Sequence, residues 1–183
     1  ELDRDSGEIA LPLAPAREGL HVLMEIREDG LGAVTHYRVR ARAPGHSLLE
    51  LSPRTGRQHQ LRVHLAALGH SIVGDKLYGP EREAPFLECI ETGMSPALEA
   101  RLGLARHALH AYTLSFEHPE TRAACVARAP LPADMLGLWR RCAPGVPEVR
   151  DGCLRGRSRG GVLHRGFPSR PQRARLAPLD RPL

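Results

Sequence analysis

Arg54-Thr55-Gly56-Arg57-Gln58-His59-Gln60-Leu61-Arg62-Val63-His64-Leu65-Ala66-Ala67-Leu68-Gly69-His70, running on through Ser71-Ile72-Val73-Gly74-Asp75-Lys76-Leu77-Tyr78-Gly79, is the stretch that decides the reading of this chain. Thr55 is placed to cap a helix by accepting the backbone N–H groups that a first turn leaves unpaired, and Gly69 supplies the left-handed residue at which helices end cheaply. Between them Leu61, Leu65 and Leu68 recur at i, i+4 and i+7, one apolar stripe that belongs in a core. Gln58, His59 and Arg62 lie on the other side, with His59, Arg62 and Ala66 aligned by three- and four-residue spacing. Arg62 falls at the margin of the stripe, where a guanidinium is held half buried if a carboxylate or phosphate meets it. For an arbitrary helical arginine the default is a solvated basic face.

The order of the residues departs from that default. Thr55-Gly56-Arg57-x-His59-Gln60-Leu61-Arg62-Val63-His64, followed by Gly69-His70-x-Ile72-Val73-Gly74-Asp75-x-x-Tyr78-Gly79, resembles the signature of the ribosomal large-subunit class of RNA pseudouridine synthases, the RluA class. Gly7-x-Ile9-x-x-Pro12-Leu13, Gly32-Ala33-x-Thr35-x-Tyr37, Leu109-His110-Ala111-x-x-Leu114-x-Phe116-x-His118-Pro119 and Ala129-Pro130-Leu131-Pro132 resemble further segments of that class. The resemblance implies the C-terminal part of the catalytic domain over residues 1–142. It implies isomerisation of uridine to pseudouridine in structured RNA, ribosomal or transfer, with no cofactor and no metal. Such an enzyme extrudes its target base from the stack before acting on it.

Site residues carry over one by one. Arg62 matches the arginine that orients and keeps ionised the catalytic aspartate. That aspartate sits in an Arg-Leu-Asp-x-x-Thr-Ser-Gly motif, which Leu2-Asp3-Arg4-Asp5-Ser6-Gly7 approaches with one residue too few; Asp3 also precedes Arg62 by only 59 residues. The nucleophile and an active-site tyrosine are therefore expected upstream of residue 1, with Asp3 a minor candidate and otherwise an exposed loop carboxylate. Arg57, His59 and Gln60 are candidates for holding RNA phosphates or bracing the site, Lys76 and Tyr78 for reaching RNA by charge and by stacking, and Leu109 for packing the target base. The alternative is a catalytically inactive RNA-binding fragment of such an enzyme. A metal-dependent hydrolase built on His59, His64, His70, His107 and His110 is disfavoured, since His59 and His64 stand five apart on the helix and face different ways.

The expected architecture is α+β, a mixed, mostly antiparallel sheet flanked by helices. Residues 35–43 alternate, with Tyr37, Val39, Ala41 and Ala43 on one face and His36, Arg38, Arg40 and Arg42 on the other, and Pro44-Gly45 turns the chain into a partner strand over 47–52. A strand is expected over 21–27 and another over 71–75. Two short helices are expected over 81–104 as a cover for the sheet, with Phe86, Leu87 and Ile90 on an apolar side. A final hairpin strand is expected at 125–127, and then a helix capped by Asp134.

Charge is unevenly spread. Residues 151–183 carry eight Arg against two Asp, and the rest of the chain is close to neutral, so the net charge of +5 belongs to the tail. Residues 143–183, dense in Arg, Gly and Pro, are expected to be a disordered tail that adds salt-sensitive RNA affinity. Cys89, Cys125, Cys142 and Cys153 form no C-x-x-C pair, which fits reduced thiols in a cytoplasmic protein. No run of about 18 apolar residues would span a membrane. RNA is the expected partner and a monomer the expected state.

Overall fold

In the computed structural model, the described residues are 2–144 together with the backbone of 161–165 and 176–177. The elements are β1 (Ser6–Ala10), β2 (Leu13–Pro15), β3 (Met24–Ile26), β4 (Val34–Ala43), β5 (His46–Pro53), α1 (Gln60–Ala67), α2 (Ala84–Thr92), α3 (Pro96–Leu102), β6 (Leu109–His110), β7 (Thr113–Glu117), β8 (Ala124–Arg128), α4 (Ala133–Cys142), β9 (Gly161–Arg165) and β10 (Leu176–Ala177). One six-stranded sheet runs in the order β10-β1-β4-β5-β9-β6, with separate two-stranded sheets β2-β3 and β7-β8. The class is α+β, and every described strand pair is antiparallel. The expected tail over 143–183 lies mostly outside the described residues; β9 and β10 are the parts of it that are described.

The β4–β5 hairpin forms as its sequence dictates. Gly45 takes φ 68° at the turn, and Tyr37 faces Leu51 while Val39 faces Leu49. A bulge between Val39 and Ala41 breaks the register. The hairpin's inner face, with Ile9, Leu65, Ile72, Met135, Leu138 and Trp139, builds the main core. The outer row of bases is neutralised from within: Arg40 pairs with Glu50, Arg42 with Asp5, and His36 with Glu8. Arg38 alone of that row is exposed without such a partner among the described residues.

Three local expectations are corrected. Residues 71–75 form turns rather than a strand, because Gly74 takes φ 75° and presses so close to the Arg106 carbonyl that a Cβ there would sit 2.1 Å from its oxygen. The apolar side of α2 does not cover the sheet, since Leu87 and Ile90 point to solvent and only Pro85 is buried. Asp134 does not cap α4; Pro132 holds that position, and Asp134 instead grips Arg106 through two bonds of 2.8 and 2.9 Å. The two short helices over 81–104 are present, with Ser95 capping α3 through the amide of Leu98. Among the described residues no helix is long and apolar enough to cross a membrane.

Helix α1 is fastened to the sheet by polar side chains that its apolar stripe did not reveal. Leu65 is fully buried while Leu61 and Leu68 pack at the core's edge, yet Gln60 and His64 are as deep as any leucine. The His64 ring bridges Thr35 Oγ1 and the Leu11 carbonyl, each at 3.0 Å. A carbonyl only accepts, so Nε2 carries the hydrogen, and the neutral ring leaves Nδ1 to accept from the Thr35 hydroxyl. Burial pushes the His64 imidazole below its ordinary value of 6.5. Protons are therefore taken up on unfolding, and this contribution to stability is complete above pH 6.5 and shrinks as the pH falls below it. Thermal melts between pH 7.5 and 5.5 should show a falling Tm, and His64→Gln should lower Tm at pH 7.5 while flattening the slope, the remaining slope coming from other buried histidines. A slope unchanged in the variant would contradict the assignment.

Candidate functional site

The approach to α1 is stapled by Gln60. Its side-chain oxygen accepts from the Arg57 amide at 3.0 Å and from the Thr55 hydroxyl at 2.8 Å, and its amide donates to the Val34 carbonyl and Thr35 Oγ1, both at 3.0 Å. Thr55 thus does not cap the helix. Its hydroxyl accepts from the Val34 amide while bonding Gln60, and the cap position belongs to His59, at φ 53° and with no side-chain cap. Gly69 ends the helix at φ 80°, as its sequence requires. A left-handed histidine costs on the order of 1–3 kcal/mol, a strain that persists where surrounding contacts fix it. Here the contact is Tyr78: its hydroxyl lies 2.7 Å from His59 Nδ1 and accepts from the Met24 amide at 2.9 Å.

With the helix start fixed, Arg62 projects one turn on into a prepared acceptor. Its Nε and Nη2 donate to the two oxygens of Asp75 at 2.8 and 2.7 Å, and its guanidinium carbon stands 4.8 Å from the centre of the Tyr78 ring. The Arg62 side chain is 13% exposed and that of Asp75 fully covered. Nη1 takes no part in the pair. Asp75 Oδ1 also accepts the amides of Leu77 and Tyr78 at 2.9 and 3.1 Å, so its loop folds around the carboxylate. Burial alone would push the Asp75 carboxyl up, but the Arg62 guanidinium and the two amides outweigh it and hold the group below 3.8.

The other sequence candidates sort around this pair. His59 and Tyr78 brace it, and burial with the nearby Arg62 charge pushes the His59 imidazole down. Gln60 is buried in the staple, which leaves it no surface to offer RNA. Lys76 donates to the Ala105 carbonyl at 2.6 Å. Arg57 is exposed, with Nε donating to the Gly32 carbonyl at 3.2 Å. Leu109 packs against the main core from β6. Asp3 is exposed, and its charge is felt by Tyr37 and His70; it is not among the groups acting on Asp75. Sequence reasoning missed Asp75 as the partner of Arg62. The signal was present in the Gly-Asp-x-x-Tyr-Gly run, although spacing alone does not join a loop carboxylate to a helix 13 residues away. Among the described residues no group of histidines, cysteines and carboxylates gathers to hold a metal.

Comparison with known proteins follows this geometry. The family described as RNA pseudouridylate synthase matches residues 3–67. Ribosomal large subunit pseudouridine synthase D of Xanthomonas campestris pv. campestris is 47% identical over 116 residues, 63% of this chain and 33% of that protein. The protein of the same name from Nitrosomonas europaea is 35% identical over 139 residues, 75% of this chain and 37% of its own length. Among solved structures, the human RNA Pseudouridylate Synthase Domain Containing 4 superposes with a TM-score of 0.54 at 27% identity, covering 75% of this chain and 56% of that one. The chain spans about a third of the length of the curated relatives it matches.

Because each partner leaves the other charged and buried, Arg62→Ala and Asp75→Ala should each cost about 3–5 kcal/mol in urea unfolding. The double variant should cost less than the sum by roughly 1–3 kcal/mol. Strict additivity would show that the two side chains do not form one unit.

Proposed function

We propose, for a chain related to the RNA pseudouridylate synthases, that it supplies the arginine-bearing part of a site that isomerises uridine to pseudouridine in ribosomal RNA. Transfer RNA is the second candidate substrate. The reading places the protein in the cytoplasm as a monomer, acting without a cofactor.

The observation that carries this reading is the manner in which Arg62 is held. A guanidinium fixed in one plane by a covered carboxylate and flanked by a tyrosine ring has lost its rotamer freedom before any substrate arrives. That is what an orienting residue needs, since positioning is effective only if its entropy cost is met during folding. In this reading Nη1, left out of the Asp75 pair, receives the nucleophilic carboxylate. The charge then stabilises that carboxylate in its ionised form and aims it at the glycosidic carbon of an extruded uridine. Lys76 and Arg57 add charge near the approaching backbone, and Leu109 offers an apolar contact to the base.

An inactive RNA-binding fragment is the competing reading. It is favoured by the span of about a third of the relatives' length and by the lack, among the described residues, of a second carboxylate bonded to Arg62.

Tritium release from RNA carrying uridine labelled at C5 separates the two. It should be measured on this chain and on the chain extended by whatever coding sequence precedes it. Release by the extended form, reduced about a hundredfold or more by Arg62→Lys with RNA affinity retained, supports the orienting role. Full release from the Arg62→Lys variant would overturn that role. No release from either form leaves the binding fragment.

A further inference from the structure

Around the Arg62–Asp75 pair most polar side chains are already engaged. His59 is bonded to Tyr78, Lys76 to the Ala105 carbonyl, and Arg106 to Asp134. His107 differs. It stands in the segment that docks beside the Asp75 loop, where the Ala108 amide donates to the Val73 carbonyl at 2.8 Å. It is close enough to Arg62 and Asp75 for both charges to act on its ring, and its own charge acts on His59. Its backbone carbonyl accepts from Leu109 and Arg106, while its imidazole is exposed and forms no hydrogen bond or ion pair among the described residues.

We propose that His107 contacts the substrate nucleotide, hydrogen-bonding the edge of the extruded pyrimidine base beside Arg62. This rests on the reading that the Arg62 site receives an RNA uridine. Partial burial and the surrounding Arg62, Arg106 and Lys76 charges keep the ring neutral. A neutral imidazole presents one N–H donor and one lone pair. Uracil offers carbonyl acceptors and an N3–H donor on that edge, whereas cytosine has no proton at N3 and an amine at position 4. A phosphate, in contrast, accepts at every oxygen and prefers a full charge, which the neighbouring guanidinium and ammonium groups already provide. His107 therefore adds selectivity to the site where the arginines add attraction.

The test is a histidine-selective NMR titration of the full chain with a short RNA hairpin bearing a single loop uridine, beside the same hairpin with cytidine at that position. The His107 Cε1–H resonance should shift saturably with the uridine hairpin and shift less with the cytidine hairpin, while exposed His46 should not move. His107→Ala should weaken uridine-hairpin binding about three- to tenfold, and His107→Gln, which keeps a donor and an acceptor, should restore most of it. Hairpin binding with no response at His107, or an equal response to both hairpins, overturns this assignment and leaves the RNA-directed reading intact. An absence of any hairpin binding overturns both.

Discussion

One buried charge pair organises the functional end of this fold. Arg62 and Asp75 come from a helix and from the loop that follows it, and neither is tolerable alone in its surroundings. A covered carboxylate without a partner would give up its proton-free state, and a guanidinium at 13% exposure would turn back to water. Together they oblige the loop from Gly74 to Gly79 to fold under the helix. That brings Tyr78 beneath the guanidinium and its hydroxyl to His59 and Met24. Helix start, loop and β3 are thereby fixed by one set of contacts, all of them polar and all short in range.

A second polar layer lies on the opposite side of the same helix. Gln60 and His64 reach across to Val34, Thr35 and Leu11, so α1 is fastened to β4 and to the strand connection after β1 by hydrogen bonds that are blind to hydrophobic pattern. Each is worth only about 1 kcal/mol net when made, but leaving its partner buried and unpaired costs more, which gives the arrangement its specificity. The outer face of the main sheet follows the same logic, with Glu8, Glu50 and Asp5 answering three of the basic side chains on β4.

The legible and the illegible parts of the sequence divide along this line. The β4–β5 hairpin, the end of α1 at Gly69 and the two helices broken at residues 93–95 follow from periodicity and from turn and cap residues, whose causes lie within a few positions. The marginal place of Arg62 was also legible, as was its need for an acid. The identity of that acid was not, because Asp75 meets Arg62 only after Gly74 adopts a left-handed backbone against the Arg106 carbonyl, a contact made across 32 residues. Gln60 and His64 read as surface residues for the same reason: their partners lie on other strands. Thr55 resembled a cap and serves as a link in the Gln60 staple instead. The apolar side chains Leu114 and Val126 on the β7–β8 hairpin, 61% and 59% exposed, fit neither pattern, and nothing in the fold explains them.

The most direct measurement is the carboxyl titration of Asp75, followed by NMR through its Cγ resonance in the folded chain. Held by a guanidinium and two amides, the group should remain ionised and titrate below the 3.8 of an ordinary aspartate. A midpoint at or above that value would mean that Arg62 is not locked in place before substrate binds, and the account of the site would fail with it.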